Sequence, residues 1–494
     1  MDVKTQRFQK ASTEALTDDR LQAVMAGAID HFDQARKVAV EEVTPRVWET
    51  YRERGRKIKE HTIENLDYYL ELLTNRVEGN GGVVHFARHT DEATSIVLEI
   101  ARARGVKRVV KSKSMLSEEM GLNRVLEAHG IESVETDLGE YIIQLSGETP
   151  FHIIAPAMHK SKEEVGELFS KKLHTKRLTE IKSMASAARQ ALRRKFLEAD
   201  MGITGVNFAV AETGTIVLVT NEGNGRMCTS LPKVHVALMG MEKVVPALED
   251  MAVMLRLLPR AATGQRITSY VTFVSGPRRR TDEDGPDEFH LVIIDNNRNK
   301  LLADPELREA LNCIRCGACL NICPVYRKIG GHSYGYVYPG PIGAVVTPVM
   351  VGLPKAKDLP FASSLCGACK EVCPVKINIP RMLLKLRSDL VEGSRSQRKS
   401  SIFDRLLSRI WGITMFSSFT LAWAHRLIII LQKPLKHEGN LRRIPIPILS
   451  RWMRARDFPS LARYSFHQKW KKTLKDESKG KGSAGNEEDL NVIK

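Results

Sequence analysis

Seven of the eight cysteines fall in two groups, Cys313-x2-Cys316-x2-Cys319-x3-Cys323-Pro324 and Cys366-x2-Cys369-x3-Cys373-Pro374. Thiolates are soft metal ligands, and these are the spacings that wrap an iron–sulfur cluster. Cysteines separated by two residues converge on a compact cluster as the backbone turns around it, and Gly317 and Ala318 leave that turn unobstructed. In the two-cluster ferredoxin run the fourth cysteine crosses to the other cluster. That exchange predicts one cluster on Cys313, Cys316, Cys319 and Cys373, and a second on Cys323, Cys366 and Cys369. The proline closing each group turns the chain away.

The second site is one thiolate short, and the position three before Cys366 is Ser363. Either this centre is a 4Fe-4S cluster with a non-cysteine fourth ligand, or it is a 3Fe-4S cluster, which needs only three thiolates. The spacing does not separate the two. Structural zinc would use two Cys-x2-Cys pairs, Cys316/Cys319 and Cys366/Cys369, leaving Cys313, Cys323, Cys373 and both prolines without a role. Cys228, alone in "GRMCTSLP", reads as a small buried packing residue.

Other chemical signals are weaker. "GNGRMC" at Gly223 and "GKGSAG" at Gly480 echo a dinucleotide fingerprint, yet neither sits in the strand–turn–helix setting that the fingerprint needs. The "AETGT" turn with Glu212 and the loop "NEGNGR" can line a pocket at the edge of a sheet, although a pair of plain hairpin turns explains them better. Nothing pairs His85, His89, His152 and His235. No catalytic constellation emerges.

The elements that position these residues follow from periodicity. At about 100–200 residues per domain, 494 residues predict two to four units. Residues 1–75 show helical spacing at Leu21, Val24, Met25 and Ala28 and again at Leu66, Tyr69, Leu70 and Leu73. From Gly81, short apolar runs alternate with amphipathic stretches: "GVVHFAR", a helix capped by Thr90, "VKRVVKS", a helix from Ser117 to Gly130, then "IESVET". This alternation predicts parallel βαβ units and an open α/β sheet over residues 76–300. A mainly helical iron–sulfur domain follows at 301–393, with Asp304 and Pro305 opening one helix and Pro380 another. The Gly-, Pro- and Tyr-rich stretch 324–365 predicts little regular structure.

Residues 394–494 form a basic helical C-terminal region, disordered over about the last 20 residues. Of the net charge of +17, residues 391–494 supply 21 Lys and Arg against 9 Asp and Glu. Such a tail can meet phosphates, anionic headgroups, an acidic partner or nothing specific. No groove-reading motif accompanies it, so nucleic acid is not an expected partner. Its apolar stretch runs only 14 residues, Trp411 to Ala424, before His425 and Arg426 intrude. That is short of the roughly 20 residues of a spanning helix and suits peripheral contact at the inner face of the membrane, docking on a partner or plain core packing. The charged N-terminus lacks the apolar core of an export signal, so a cytoplasmic location is expected, where clustered thiols point to metal rather than disulfides.

An α/β domain containing "AETGTIVL" and "LPKVHVALMG", followed by "CIRCGACLNICPVYR" and "LCGACKEVCP", resembles the lactate utilisation protein B family over nearly its full length. The resemblance implies an α/β domain similar to the ribose-5-phosphate isomerase and CoA-transferase group. It implies an iron–sulfur electron carrier, with the same seven cysteines as ligands, in a bacterial system oxidising L-lactate to pyruvate. It implies as partners a cysteine-rich subunit like those of glycolate oxidase and a small subunit carrying only the α/β domain. The alternative is an enzyme whose α/β domain binds a small acid or thioester while clusters feed it electrons.

Overall fold

In the computed structural model, which describes residues 3–393, 402–437, 440–441 and 458–478, the apolar runs after Gly81 become strands. They are β1 (Val83–Ala87), β2 (Arg108–Lys111), β3 (Glu132–Glu135), β4 (Met201–Gly205), β5 (Phe208–Val210), β6 (Thr215–Thr220), β7 (Val234–Gly240), β8 (Val244–Val245), β9 (Tyr270–Val274) and β10 (Glu288–Ile294). Six of them form one parallel sheet in the order β1-β10-β7-β4-β2-β3. All seven residues of β7 are buried, as expected of a central parallel strand covered on both faces. From β2 the chain steps to β3 at one edge, then returns to β4 on the other side of β2 and continues outward through β7 and β10. The strand order therefore reverses between β2 and β4.

A second sheet, β8-β5-β6-β9, is built on the "AETGT" hairpin, where Phe208–Val210 pairs antiparallel with Thr215–Val217. Gly214, at φ 67°, makes the turn without a Cβ penalty.

Local corrections follow physical rules. The helix expected from Thr90 runs Thr90–Ala103 with His89 as its cap, while Glu92 accepts from Arg88 N. The single helix expected from Ser117 to Gly130 is two, Met115–Met120 capped by Ser114 and Leu122–Ala128, because Gly121 adopts a left-handed conformation between them. Asp304 accepts from Glu306 N and Leu307 N, but the turn it caps leads into the 3-10 helix Arg308–Asn312. The stretch 324–365 holds a 12-residue helix, Gly340–Val351. Pro341 sits in its first turn, where no N–H is needed. Ten of its residues are buried, so packing overrides the poor propensity of Pro348.

The N-terminal helices belong to the same compact unit as the sheet and the cysteine region, residues 1–399. One core holds Met25, Ile29, Trp48 and Leu73 from these helices, Phe208 and Met239 from the sheets, and Cys316, Cys319, Cys369 and Cys373. Each large apolar side chain buried there contributes about 1.5–3 kcal/mol. Polar clamps tie the same parts together. Arg52 of helix Pro45–Glu64 donates to the carbonyls of Cys373 and Glu371 at 3.0 and 2.8 Å, and Arg327 bridges Asn321 O and Asp30.

Residues 400–494 form a separate unit. The apolar stretch is two helices, Ile402–Met415 and Ser418–Gln432, bent by 114° at a break where Ser417 caps the second. Among the described residues no single helix is long and apolar enough to cross a membrane. Of the last 20 residues, 475–478 finish the helix Phe466–Ser478, and the rest, with "GKGSAG", lie outside the described residues.

Candidate iron–sulfur centre and the adjoining cavity

The two cysteine groups share one backbone design. Arg315 (φ 61°) and Gly317 (φ 74°) flank Cys316 in left-handed conformations, and Leu365 (φ 56°) and Gly367 (φ 86°) flank Cys366 in the same way. For Arg315 and Leu365 this geometry costs about 1–3 kcal/mol each, strain of the kind retained at functional sites. Each turn runs into a five-residue helix, Ala318–Ile322 or Ala368–Val372, and the two helices pack on each other. The hydrogen bonds repeat as well: Arg315 N donates to Cys313 Sγ at 3.4 Å, and Leu365 N donates to Ser363 Oγ at 3.1 Å. Ser363 thus stands where Cys313 stands in the first group.

Cys313, Cys316, Cys319 and Cys373 line one cavity whose remaining wall is mostly apolar, with Ile153, Ile314, Ile342, Ile377 and Ile379. When ionised, Cys313 and Cys373 both act on Cys316 and Cys319, and Cys369 acts on Cys319 as well. Cys369 instead feels Cys323 and Cys366. Burial pushes the Cys373 thiol up to about 12 and Cys369 to about 11, and it raises Cys316, Cys319 and Cys323 as well. These thiols are neutral without metal, so loading iron must release their protons. Backbone N–H groups of Val375 and Ile377 point at Cys373, and those of Tyr326 and Val325 at Cys323. An apolar cavity lined by four thiols, with amide donors aimed at sulfur, fits a cluster of iron and inorganic sulfide. Exposure differs between the groups: Cys316, Cys319 and Cys373 are buried with Cys313 half-buried, whereas Cys323 and Cys369 are buried and Cys366 is exposed.

Basic side chains approach Cys313. Lys59, fully buried, donates to Glu242 O and Val244 O at 2.5 and 3.2 Å. Burial pulls Lys59 down to about 7 and Lys243 to about 8 against the opposing pull of Glu242 and Cys313. Arg315 lies over the Tyr338 ring at 4.5 Å and reaches Glu242 at 3.3 Å. Behind them Arg298, 2% exposed, pairs with Glu242 at 2.8 Å and with both oxygens of Glu119 at 2.9 and 3.0 Å. Burial opposes both charges of the Arg298–Glu242 pair, yet the partner charges win: Arg298 is held well above its ordinary value and Glu242 at about 2.

The histidines divide. His152 is buried: its Nδ1 accepts from Ile154 N and Ala155 N, its Nε2 faces Asn321 Oδ1 at 3.1 Å, and burial pulls it down to about 3. A Cβ on Gly317 would lie 3.3 Å from its ring, so His152 and Ile154 wall the first cysteine turn. His235 meets Thr204 at 2.9 Å, and His85 meets His290 at 3.1 Å. Cys228 is buried against Thr136 with its thiol pushed up to about 12, which suits a packing residue.

Glu212 accepts from Leu248 N and does not line a cavity with the cysteines. "NEGNGR" does line one: Asn221, Glu222 and Asn224 face a cavity of about 420 Å³ that Arg315 closes from the cysteine side. Lys59, Glu242, Lys243 and Arg315 escaped the spacing argument. The available signal was the charged pair Glu242-Lys243 set between the apolar runs "VHVALMGM" and "VVP".

A family model described as LUD domain matches residues 70–294, and one described as 4Fe-4S dicluster domain matches residues 309–377. The chain is 42% identical to lactate utilization protein B of Bacillus velezensis over 98% of this chain and 99% of that one. It is 42% identical to that of Bacillus subtilis over 93% and 95%, and 45% identical to that of a Geobacillus species over 93% and 96%. A DUF162 family crystal structure from Deinococcus radiodurans aligns over 46% of this chain and 98% of that one, with 14% identity and a TM-score of 0.26.

Proposed function

Because the chain belongs to the lactate utilization protein B family, we propose that it carries the electrons released when L-lactate is oxidised to pyruvate. Its role in lactate utilisation and its two iron–sulfur clusters are the premise. The finer assignment is that Cys313, Cys316, Cys319 and Cys373 hold one 4Fe-4S cluster and Cys323, Cys366 and Cys369 the other. The second either has a non-cysteine fourth ligand or is a 3Fe-4S centre. Bound there, the clusters supply one-electron transfer.

The chain's residues do the rest. The apolar cavity wall covers the four thiolates on one side, the backbone N–H groups at Cys373 and Cys323 disperse negative charge, and Arg315, Lys243 and Lys59 compensate charge on the Cys313 side. The observation that carries the reading is the division of the cysteines, four facing one apolar cavity and three ending at the exposed Cys366. A buried centre suits storage of an electron, and an exposed edge suits its hand-over to a partner. Those partners are a cysteine-rich subunit like those of glycolate oxidase and a small α/β subunit. The hydride step belongs to a flavin or nicotinamide held outside this chain. The basic tail serves docking, on a partner or on the headgroups at the inner face of the membrane.

Anaerobic co-purification from lactate-grown cells, with iron, sulfide and flavin analysis and EPR after reduction, tests this. Two iron–sulfur signals and the two partner subunits are expected. Cys373→Ala should remove one signal and Cys369→Ala the other. A reduced protein without an iron–sulfur signal, or both substitutions acting on the same signal, refutes the assignment.

A further inference from the structure

The cavity of about 420 Å³ lies at the carboxyl ends of the parallel strands. Lys113 follows β2, Asn207 follows β4 and Lys243 follows β7, and all three line it. The reversal of strand order between β2 and β4 is where open α/β sheets form their ligand crevices. Its size is that of a small-molecule site. A Cβ on Gly205 would lie 2.8 Å from Ser114 Oγ, so the two crossing loops meet at this point with no room for a side chain.

The lining is cationic in balance. Lys113, Lys243 and Arg315 reach it from three separate elements. Among the acids, Glu242 is already matched by Arg298 and Arg315, and Asp137 is engaged by Glu140 N. Burial pushes Glu222 up to about 7, so it is protonated about half of the time at neutral pH. Two buried polar atoms also lack partners: Asn224, 4% exposed, with an unsatisfied Oδ1, and Arg315 with an unsatisfied Nη1. An unmet buried acceptor and an unmet buried cationic donor are each unfavourable until a ligand supplies the partner. A carboxylate answers the guanidinium and ammonium groups, and a hydroxyl answers the Asn224 oxygen.

We propose that this cavity binds a small hydroxycarboxylate, with Lys113, Lys243 and Arg315 holding its carboxylate and Asn224 Oδ1 accepting a hydrogen bond from its hydroxyl. Arg315 joins the cavity to the cysteine loop, because the residue that faces the ligand also donates its backbone N–H to Cys313 Sγ. A bound anion therefore brings negative charge beside Cys313. That disfavours adding an electron there, so occupancy lowers the reduction potential of the centre on that side. This consequence rests on the electron-carrier reading, whereas binding itself does not.

The full chain, purified without oxygen, is titrated by calorimetry with L-lactate, pyruvate and inorganic phosphate in separate arms. EPR-monitored redox titrations are run with and without L-lactate. L-lactate should bind, and more tightly than pyruvate, which lacks the hydroxyl hydrogen. Lys243→Gln and Lys113→Gln should each weaken it by about tenfold or more, with iron content and circular dichroism unchanged, and one cluster's potential should fall on saturation. If one variant fails to fold, the other decides. Absence of L-lactate binding at millimolar concentration, phosphate binding in its place, or affinity unaltered in folded variants overturns the proposal. A chain without iron–sulfur signals but with L-lactate binding would sink the electron-carrier reading and keep the cavity. Signals without binding would do the reverse.

Discussion

Arg298 is the residue on which the wall between the cavity and the cysteine loop depends, and Arg298→Met tests that. Methionine keeps much of the length and removes the charge. Arg298 and both carboxylates it serves are at most 2% exposed, so no water replaces the lost donors. Breaking a buried ion pair costs about 3–5 kcal/mol, mostly as uncompensated charge. Each carboxylate keeps some support: Glu242 retains Arg315 at 3.3 Å, and Glu119 retains Asn296 Nδ2 at 2.6 Å and Tyr338 OH at 2.7 Å. The loss therefore belongs at about 3–5 kcal/mol rather than twice that. Anaerobic urea unfolding of equally loaded proteins, followed by circular dichroism and fluorescence together, measures it provided the two probes coincide. A triple variant that also carries Glu119→Gln and Glu242→Gln should recover much of the stability, since no charge is then stranded. A loss below about 1 kcal/mol, the range of a surface pair, would refute the reasoning, as would a triple variant no better than the single one.

Three further outcomes are expected. Ser363→Cys completes the thiolate set at a position whose backbone matches Cys313, so the EPR signal of the second centre should change, and an unchanged spectrum would place Ser363 off the cluster. A Cβ on Gly202 would lie 1.9 Å from the carbonyl oxygen of Cys228, which cannot move without its helix, so Gly202→Ala should lose about 3 kcal/mol in thermal unfolding. His152 and His235 are held at about 3 by burial against 6.5 when exposed, so the unfolded chain binds more protons within that window. Stability should be full above pH 6.5 and fall as the pH drops towards 3, and His152→Gln should flatten that fall in denaturation measured across pH.

The alternation of apolar runs and helices after Gly81 was readable because each run obeys one period, and β1, β2 and β3 appear where the pattern predicts them. Breaks inside helices were less readable: Gly121 splits one by adopting a positive φ, which a glycine permits without announcing. The helix Gly340–Val351 was hidden for the opposite reason, since local propensity argues against it and burial in the shared core forms it. At the site, the spacing of the cysteines carried their grouping. The cations around Cys313 were not legible. Lys59 lies some 250 residues from Cys313 in sequence, and only the packing of its helix, Pro45–Glu64, on the 3-10 helix Arg308–Asn312 and β8 brings the two near. Electrostatic support of this kind has no spacing to read.

The two cysteine turns are alike in backbone and unlike in surroundings, and the difference gives the centre a direction. Left-handed residues flank Cys316 and Cys366 alike, and each leads into a five-residue helix. Around the first turn the chain supplies a fourth thiol, an apolar wall and three cations; around the second it supplies a serine and an opening at Cys366. Apolar burial resists the added charge of reduction while the cations favour it, so the first site can be buried without becoming hard to reduce. Its potential then answers to whatever changes the balance of those cations, and Arg315 and Lys243 are shared with the neighbouring cavity. The second site, open at Cys366, is the one that a docked partner would reach. On the proposed reading, an electron carrier built this way would be adjusted from the cavity at one end and emptied at the surface at the other.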